Sequence, residues 1–273
     1  MVISVGDKNV GAISIIDNGV EKEVLHVSIG DTLIWTKVYT PVRVTRGVGT
    51  RVGTTTNFNV GEWSAQGIAS HNGRLWMVGD ATDALYQVND TTGAATRIGS
   101  ATAFRVNEVR PRGLTSHNER LYMIGDSTAA LYEMNTSTGA GAKVGRATNF
   151  GTNRVWAPGG LASHNGVLYA LNVWPLDALH TIDTTTGIAT RVGSVTQYGV
   201  GEDSMQGLES HDGRLYAVGS DTDKLYTIST ITGSATAVGS SLRFGVLENF
   251  PQGLASHRGT LYLLGGNRLY TLS

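Results

Sequence analysis

The chain is 273 residues long and almost neutral, with 21 lysines and arginines against 22 aspartates and glutamates. That balance excludes the basic surface expected of a nucleic-acid or anionic-membrane binder, and no run approaches the roughly 20 apolar residues that span a bilayer. Cysteine is absent, which removes disulfides, thiolate metal sites and cysteine nucleophiles together.

From the start of the chain, Met1 is followed by VISVGDKNV, which has neither the basic opening nor the apolar core of a secretory signal. Within residues 1–40, AISIID, VLHVSIG and TLIWTKV read as strands, with DNG from Asp17 as a turn. This stretch does not resemble the rest of the chain. It reads as a small separate β module for attachment or oligomerisation, so a homo-oligomer is an open possibility.

Residues 41–273 repeat themselves. The phrases QGIASHNGRLWMV, RGLTSHNERLYMI, GGLASHNGVLYAL, QGLESHDGRLYAV and QGLASHRGTLYLL place His71, His117, His164, His211 and His257 at a spacing of about 46–47 residues. A second marker, the glycine of RVG, RIG, KVG or AVG, falls at Gly53, Gly99, Gly145, Gly193 and Gly239. Amphipathic helical runs are missing, so this period indicates four-stranded propeller blades. In the first copy GIASH, RLWMVG, ALYQVN and AATRIG are the four strands, with NG and DTTG as tight turns. The chain stops at Ser273 before a fourth strand of the fifth copy. The matching phrase TRGVGTRVG stands at residues 45–53, ahead of the first copy. The sequence therefore predicts an all-β fold: a five-bladed β-propeller whose N-terminal strand completes the last blade, leaving no open edge.

A histidine repeated five times invites a metal reading, but a metal site needs three or four ligands within about 2.1 Å of one ion. Equivalent positions around a five-blade ring lie too far apart for that, unless they line a narrow channel mouth, where a ring-bound ion or water cluster is the alternative. The five histidines are read as structural, each able to bond a nearby backbone group or the next blade, and no metal or cofactor is expected. The leucine pairs Leu75/Leu85, Leu121/Leu131, Leu168/Leu179, Leu215/Leu225 and Leu261/Leu269 are core, each contributing roughly 1.5–3 kcal/mol on burial.

Length and variation collect in the crossings between blades, which share one face of the disc with the bend between second and third strands. Binding residues on rigid scaffolds concentrate in such loops. Phe58, Phe104, Phe150, Tyr198 and Phe244 recur there and are read as plugs between blades. Glu62, Glu108, Glu202 and Glu248 recur as acids bonded to backbone or solvated. Copy three departs from the pattern, with Arg154, Trp156, Ala157 and Pro158 in its crossing, Trp174, Pro175 and Asp177 in a longer bend, and His180 in place of a tyrosine. Trp156, Trp174, Arg154 and Asp177 are the candidate ligand site: aromatic faces for the apolar side of a sugar, charged groups for its hydroxyls. The bland alternative is that both tryptophans fill a gap between blades. Trp63, Arg110 and Phe250 are weaker candidates from other crossings. Glu209, an acid in an inner strand, has no assignment. No Gly-x-Ser-x-Gly, His-Glu-x-x-His or Walker motif occurs, so the chain is expected not to be an enzyme.

Blade number and length, with the GLASHNGxLY and TTGxATxVG phrases, resemble tachylectin-2-like five-bladed propellers, which implies sugar binding between blades. VLHVSIGDTLIWTK at residues 24–37 resembles a phrase of phage and prophage tail proteins. Together these resemblances imply a virion or tail-associated binding protein. Its disc would contact a host-surface glycan, a cell-surface receptor or a neighbouring virion protein, and residues 1–40 would contact other virion proteins. A free-standing extracellular or cell-surface lectin or adhesin, and a propeller hydrolase or lyase, are the alternatives.

Overall fold

The computed structural model describes residues 13–17, 20–29, 32–39, 43–147, 149–151, 157–174, 177–202, 204–239, 244 and 251–273. Near the N-terminus β1 (Ile13–Asp17), β2 (Val20–Ile29) and β3 (Thr32–Tyr39) form an antiparallel three-stranded sheet in sequence order. Asp17 pairs with Val20, and the rest of the expected turn, residues 18–19, lies outside the described residues. The second strand starts earlier than its apolar run predicts and takes in Glu21, Lys22 and Glu23, because pairing with β1 recruits them.

The ring begins with β4 (Gly49–Arg51). Blade one is β5 (Ala65–His71), β6 (Arg74–Gly79), β7 (Ala84–Val88) and β8 (Ala95–Arg97). Blade two is β9 (Pro111–His117), β10 (Arg120–Gly125), β11 (Ala130–Met134) and β12 (Gly141–Lys143). Blade three is β13 (Ala157–His164), β14 (Val167–Trp174), β15 (Ala178–Ile182) and β16 (Ala189–Arg191). Blade four is β17 (Met205–His211), β18 (Arg214–Gly219), β19 (Lys224–Ile228) and β20 (Ala235–Ala237). Blade five is β21 (Pro251–His257), β22 (Thr260–Gly265), β23 (Leu269–Leu272) and, closing it from the other end of the chain, β4. Tyr270 pairs with Arg51 and Leu272 with Gly49. The turn leaving β23 is kept although two distant segments make it: Ser273 N donates to Val48 O at 3.0 Å, as Asn89 N donates to Ala94 O at 2.8 Å inside blade one. The predicted closure is thus the observed one.

Alternating apolar residues on both faces of each blade meet their neighbours in inter-blade cores. Ile68, Leu75 and Tyr86 of blade one pack with Ala255, Tyr262 and Leu264 of blade five, and the same mixture of adjacent blades recurs around the ring. Each core holds one of the five crossing aromatics, all buried. Their backbones are left-handed, from φ 49° at Tyr198 to 54° at Phe150. For a bulky residue this costs on the order of 1–3 kcal/mol and persists only where the surroundings over-determine it. Burial of the ring in the seam supplies that constraint, and the strand-and-turn reading of the sequence does not foresee it.

The inner strands of neighbouring blades run side by side around the axis. Gly113 shows how close they come: a Cβ there would sit 2.7 Å from the Leu161 amide nitrogen. Gly67 and Gly160 face the next inner strand at the same level. Only a residue without a side chain fits.

Candidate functional site

The two ends of the inner strands differ in chemistry. At the short-turn end each repeated histidine bonds the serine that precedes the next histidine in the ring. His71 Nδ1 lies 2.8 Å from Ser116 Oγ, His117 2.8 Å from Ser163, His164 2.8 Å from Ser210, His211 2.9 Å from Ser256, and His257 2.8 Å from Ser70. Strand alternation explains it, since adjacent residues Ser and His point at opposite neighbours. In blades one to three an asparagine amide donates to the histidine Nε2, so the proton sits on Nδ1 and the serine accepts. Blade five reverses this. His257 Nε2 faces Asp90 Oδ2 at 3.4 Å, so the proton lies on Nε2 and Ser70 donates. Arg258 pairs with the same carboxylate at 2.8 Å and clasps the last blade to the first. Burial lowers the pKa of His71 and His117, and lowers that of His257 to about 4 with help from Arg258.

At the long-crossing end Glu62, Glu108 and Glu202 are buried anchors. Glu108 accepts from the amides of Arg110, Ser127 and Thr128 and from both hydroxyls of Ser127 and Thr128. Tyr132 Oη donates on to Thr128. Glu62 and Glu202 hold their own bends the same way. Each carboxylate lies over a glycine, Gly79, Gly125 or Gly219, where a Cβ would collide with it. Copy three, with Arg154 for glutamate, also has Asn172 for the glycine and His180 for the tyrosine. Asn172 is buried, and Tyr198 Oη donates to its carbonyl at 2.9 Å. His180 Nδ1 bonds Ala178 O at 3.1 Å, and burial takes its pKa down to about 4. The three letters change together within the repeat, and of them Asn172 and His180 lie in the described residues.

Between the crossing and the ring of glycines lies the axial mouth. Every inner strand slips its register there: the pairing skips Gln66, Arg112, Gly159, Gly207 and Gln252 in turn. Such β-bulges re-aim a side chain and favour barrel rims and active sites. Arg112 Nη1 crosses to Gln66 Oε1 at 3.1 Å, and its guanidinium pairs with Asp126 at 3.4 Å. Gln66 Nε2 donates to Ser64 Oγ at 3.1 Å, and Ser64 donates to Asp80 at 3.4 Å. Burial raises the Asp80 carboxyl above its usual range, against the opposing pull of Arg112 and Ser64. This arrangement offers a cation, two carboxyls and amides on one rim. The residue before the repeated glycine, varying between glutamine, arginine and glycine, was the available signal for it.

Of the residues chosen from sequence, Trp63 belongs to this end of the disc and is 66 % exposed. Arg110 is exposed beside the mouth; its carbonyl accepts from Asp126 N, and its charge reaches Asp80. Asp177 is half-buried and left-handed at φ 44°, the conformation Asp83 and Asp223 hold in other bends, so it follows the repeat. Trp174 ends β14, its backbone paired with Ala157. Arg154, Trp156 and Phe250 lie outside the described residues, as does Glu248. Glu209 is half-buried, with Oε1 accepting from Ser210 N.

No family model matches the chain, and no curated protein matches its sequence. Solved structures do match its shape. A glutaminyl cyclase from Myxococcus xanthus superposes with a TM-score of 0.55 at 19 % identity, covering 85 % of this chain and 97 % of its own. A gluconolactonase from Xanthomonas campestris gives 0.51 at 14 %, covering 86 % and 88 %. A Bacteroides thetaiotaomicron protein of unknown function gives 0.51 at 17 %, covering 94 % and 68 %. At such identities the likeness is one of fold. It nevertheless corrects the expectation that this chain is not an enzyme, because the first two proteins carry catalysis on a similar architecture. The physical reason is that a propeller gathers its mouth from separate blades, so a catalytic set leaves no local motif to read.

Proposed function

We propose that the protein recognises a hydroxyl-rich, carbohydrate-like ligand at the axial mouth of its long-crossing face. The observation that carries this is the bulged rim, on which Arg112 reaches across a blade boundary to Gln66 and pairs with Asp126. Planar cations, carboxylates and amides held in fixed positions are what hydroxyl recognition needs, and exposed Trp63 at the same end offers a stacking face. A host-surface glycan displayed to a virion, with residues 1–40 as the attachment element, is the setting that residues 24–37 suggest. The test is a glycan array on the intact protein. Trp63→Ala and Arg112→Ala should each weaken binding about tenfold or more, with folding kept for Trp63→Ala. Binding unchanged in both variants overturns the reading.

A second reading, hydrolysis or elimination on the bound sugar, is favoured by one feature. Asp80, bonded by Ser64 on the same rim, is a carboxyl that burial holds above its usual range, and such a group is suited to proton transfer. Turnover of gluconolactone and a polysaccharide panel, lost in Asp80→Asn, separates catalysis from binding alone.

A further inference from the structure

The axial mouth has a second half, in blades four and five. Gln206 there is the counterpart of Gln66 and Gln252 the counterpart of Arg112. The likeness is close on one side: Gln206 Nε2 donates to Ser204 Oγ at 3.2 Å, as Gln66 donates to Ser64. It fails on the other. Gln66 Oε1 has the Arg112 guanidinium, whereas Gln206 Oε1 and Gln252 Oε1 are both buried with no hydrogen-bond partner. Buried acceptors of this kind are rare and costly, and each calls for an explanation. Two at equivalent positions of adjacent blades are not accidents of separate loops.

The backbone places them together. Gly207 is left-handed at φ 49°, and a Cβ on it would fall 2.8 Å from Gly253 Cα, so the two inner strands touch main chain to main chain. The positions one residue earlier are thereby neighbours, within the same reach that lets Arg112 bond Gln66. At the equivalent position blade three has Gly159, where a Cβ would run into the Met205 carbonyl.

We infer that Gln206 and Gln252 form an uncharged subsite whose two side-chain carbonyls accept hydrogen bonds from a pair of hydroxyls on a neutral ligand. Both residues are partly exposed, and meeting a ligand requires the terminal amides to rotate, which at Gln206 exchanges the Nε2–Ser204 bond for the new one. A cation fits the pair less well, because Arg112 already places positive charge on the opposite half of the rim. A polyol such as a sugar ring would span both halves, ordered by charge at Arg112 and Asp126 and by neutral acceptors at Gln206 and Gln252. This rests on the reading of the mouth as the ligand site and names what its neutral half takes.

The test uses the intact protein with Gln206→Met and Gln252→Met, single and combined, which keep side-chain length and remove the amide. Binding of D-galactose, N-acetylglucosamine and myo-inositol is measured calorimetrically, and Tm is read in parallel. The expected result is a loss of affinity of about tenfold for each substitution, with Tm unchanged or raised for Gln252→Met and slightly lowered for Gln206→Met by loss of its Ser204 bond. In contrast, Gln66→Met, which strands a bonded arginine, lowers Tm. Full affinity in the double variant alongside weakened binding by Arg112→Ala overturns this subsite and leaves the mouth reading standing. A lowered Tm in Gln252→Met, which has no Ser204-type bond to lose, shows that its acceptor is satisfied within the folded chain and also overturns the subsite. Failure of the wild type to bind any of the three probes overturns both.

Discussion

Compared along one inner strand, the two ends of a blade obey different rules. At the short-turn end the Ser-His link recurs at every blade boundary, with distances that vary by no more than a tenth of an ångström. At the mouth, one residue beyond the glycine ring, the positions read Gln66, Arg112, Gly159, Gln206 and Gln252, and only one adjacent pair is satisfied across its boundary. Ring closure demands equivalence of every seam, so the links that hold seams together are copied. The mouth carries no link that every seam must share, so duplication is broken there.

Three perturbations sharpen that contrast. The largest effect is expected from Glu108→Ala, because it leaves buried donors from Arg110, Ser127 and Thr128 without an acceptor. Chemical denaturation should show a loss of about 3 kcal/mol. Glu108→Gln should recover part of it, and equal stability of wild type and alanine variant would mean that water enters the bend.

At the opposite end, His117→Ala breaks one link and strands Ser163, for about 2 kcal/mol. If the histidines serve only the seams, the substitution leaves sugar affinity at the mouth unchanged. A large change in affinity with an intact fold would give them a part in binding.

The last effect is confined to acid pH and vanishes at neutrality. His71, His117, His180 and His257 have folded pKa values below the ordinary 6.5. The unfolded chain therefore takes up protons that the folded chain refuses, and stability falls as pH drops from 6.5 toward about 4. The raised carboxyls of Asp80, Asp83 and Glu202 act in the opposite sense, regaining stability as they protonate. His180→Tyr, which restores the residue of the other blades, should remove its share of the histidine slope, about 3 kcal/mol across that window. Superimposable Tm profiles of variant and wild type from pH 6.5 to 4 would contradict the assignment.

Much of the architecture is written locally. Strand alternation, NG and TTG turns and the displaced TRGVGTRVG phrase specify blades, their number and the closure, because each depends on neighbours a few residues apart or on simple recurrence. The aromatic plugs were readable as core, though not their left-handed backbones, which exist only because two blades close on the ring. The coupled change of Arg154, Asn172 and His180 was present in the letters, yet its meaning lies in the glutamate–glycine contact of the other blades.

The sequence alone determined a five-bladed ring, its closing strand and the face that carries variation, since repetition and short-range hydrogen bonding encode them. Only the tertiary structure decided which variable residues meet. Gln66 and Arg112 stand 46 residues apart in the chain, and a one-residue bulge in each inner strand sets where their side chains point. Partners that distant are joined by the curvature of the ring, which no local pattern records.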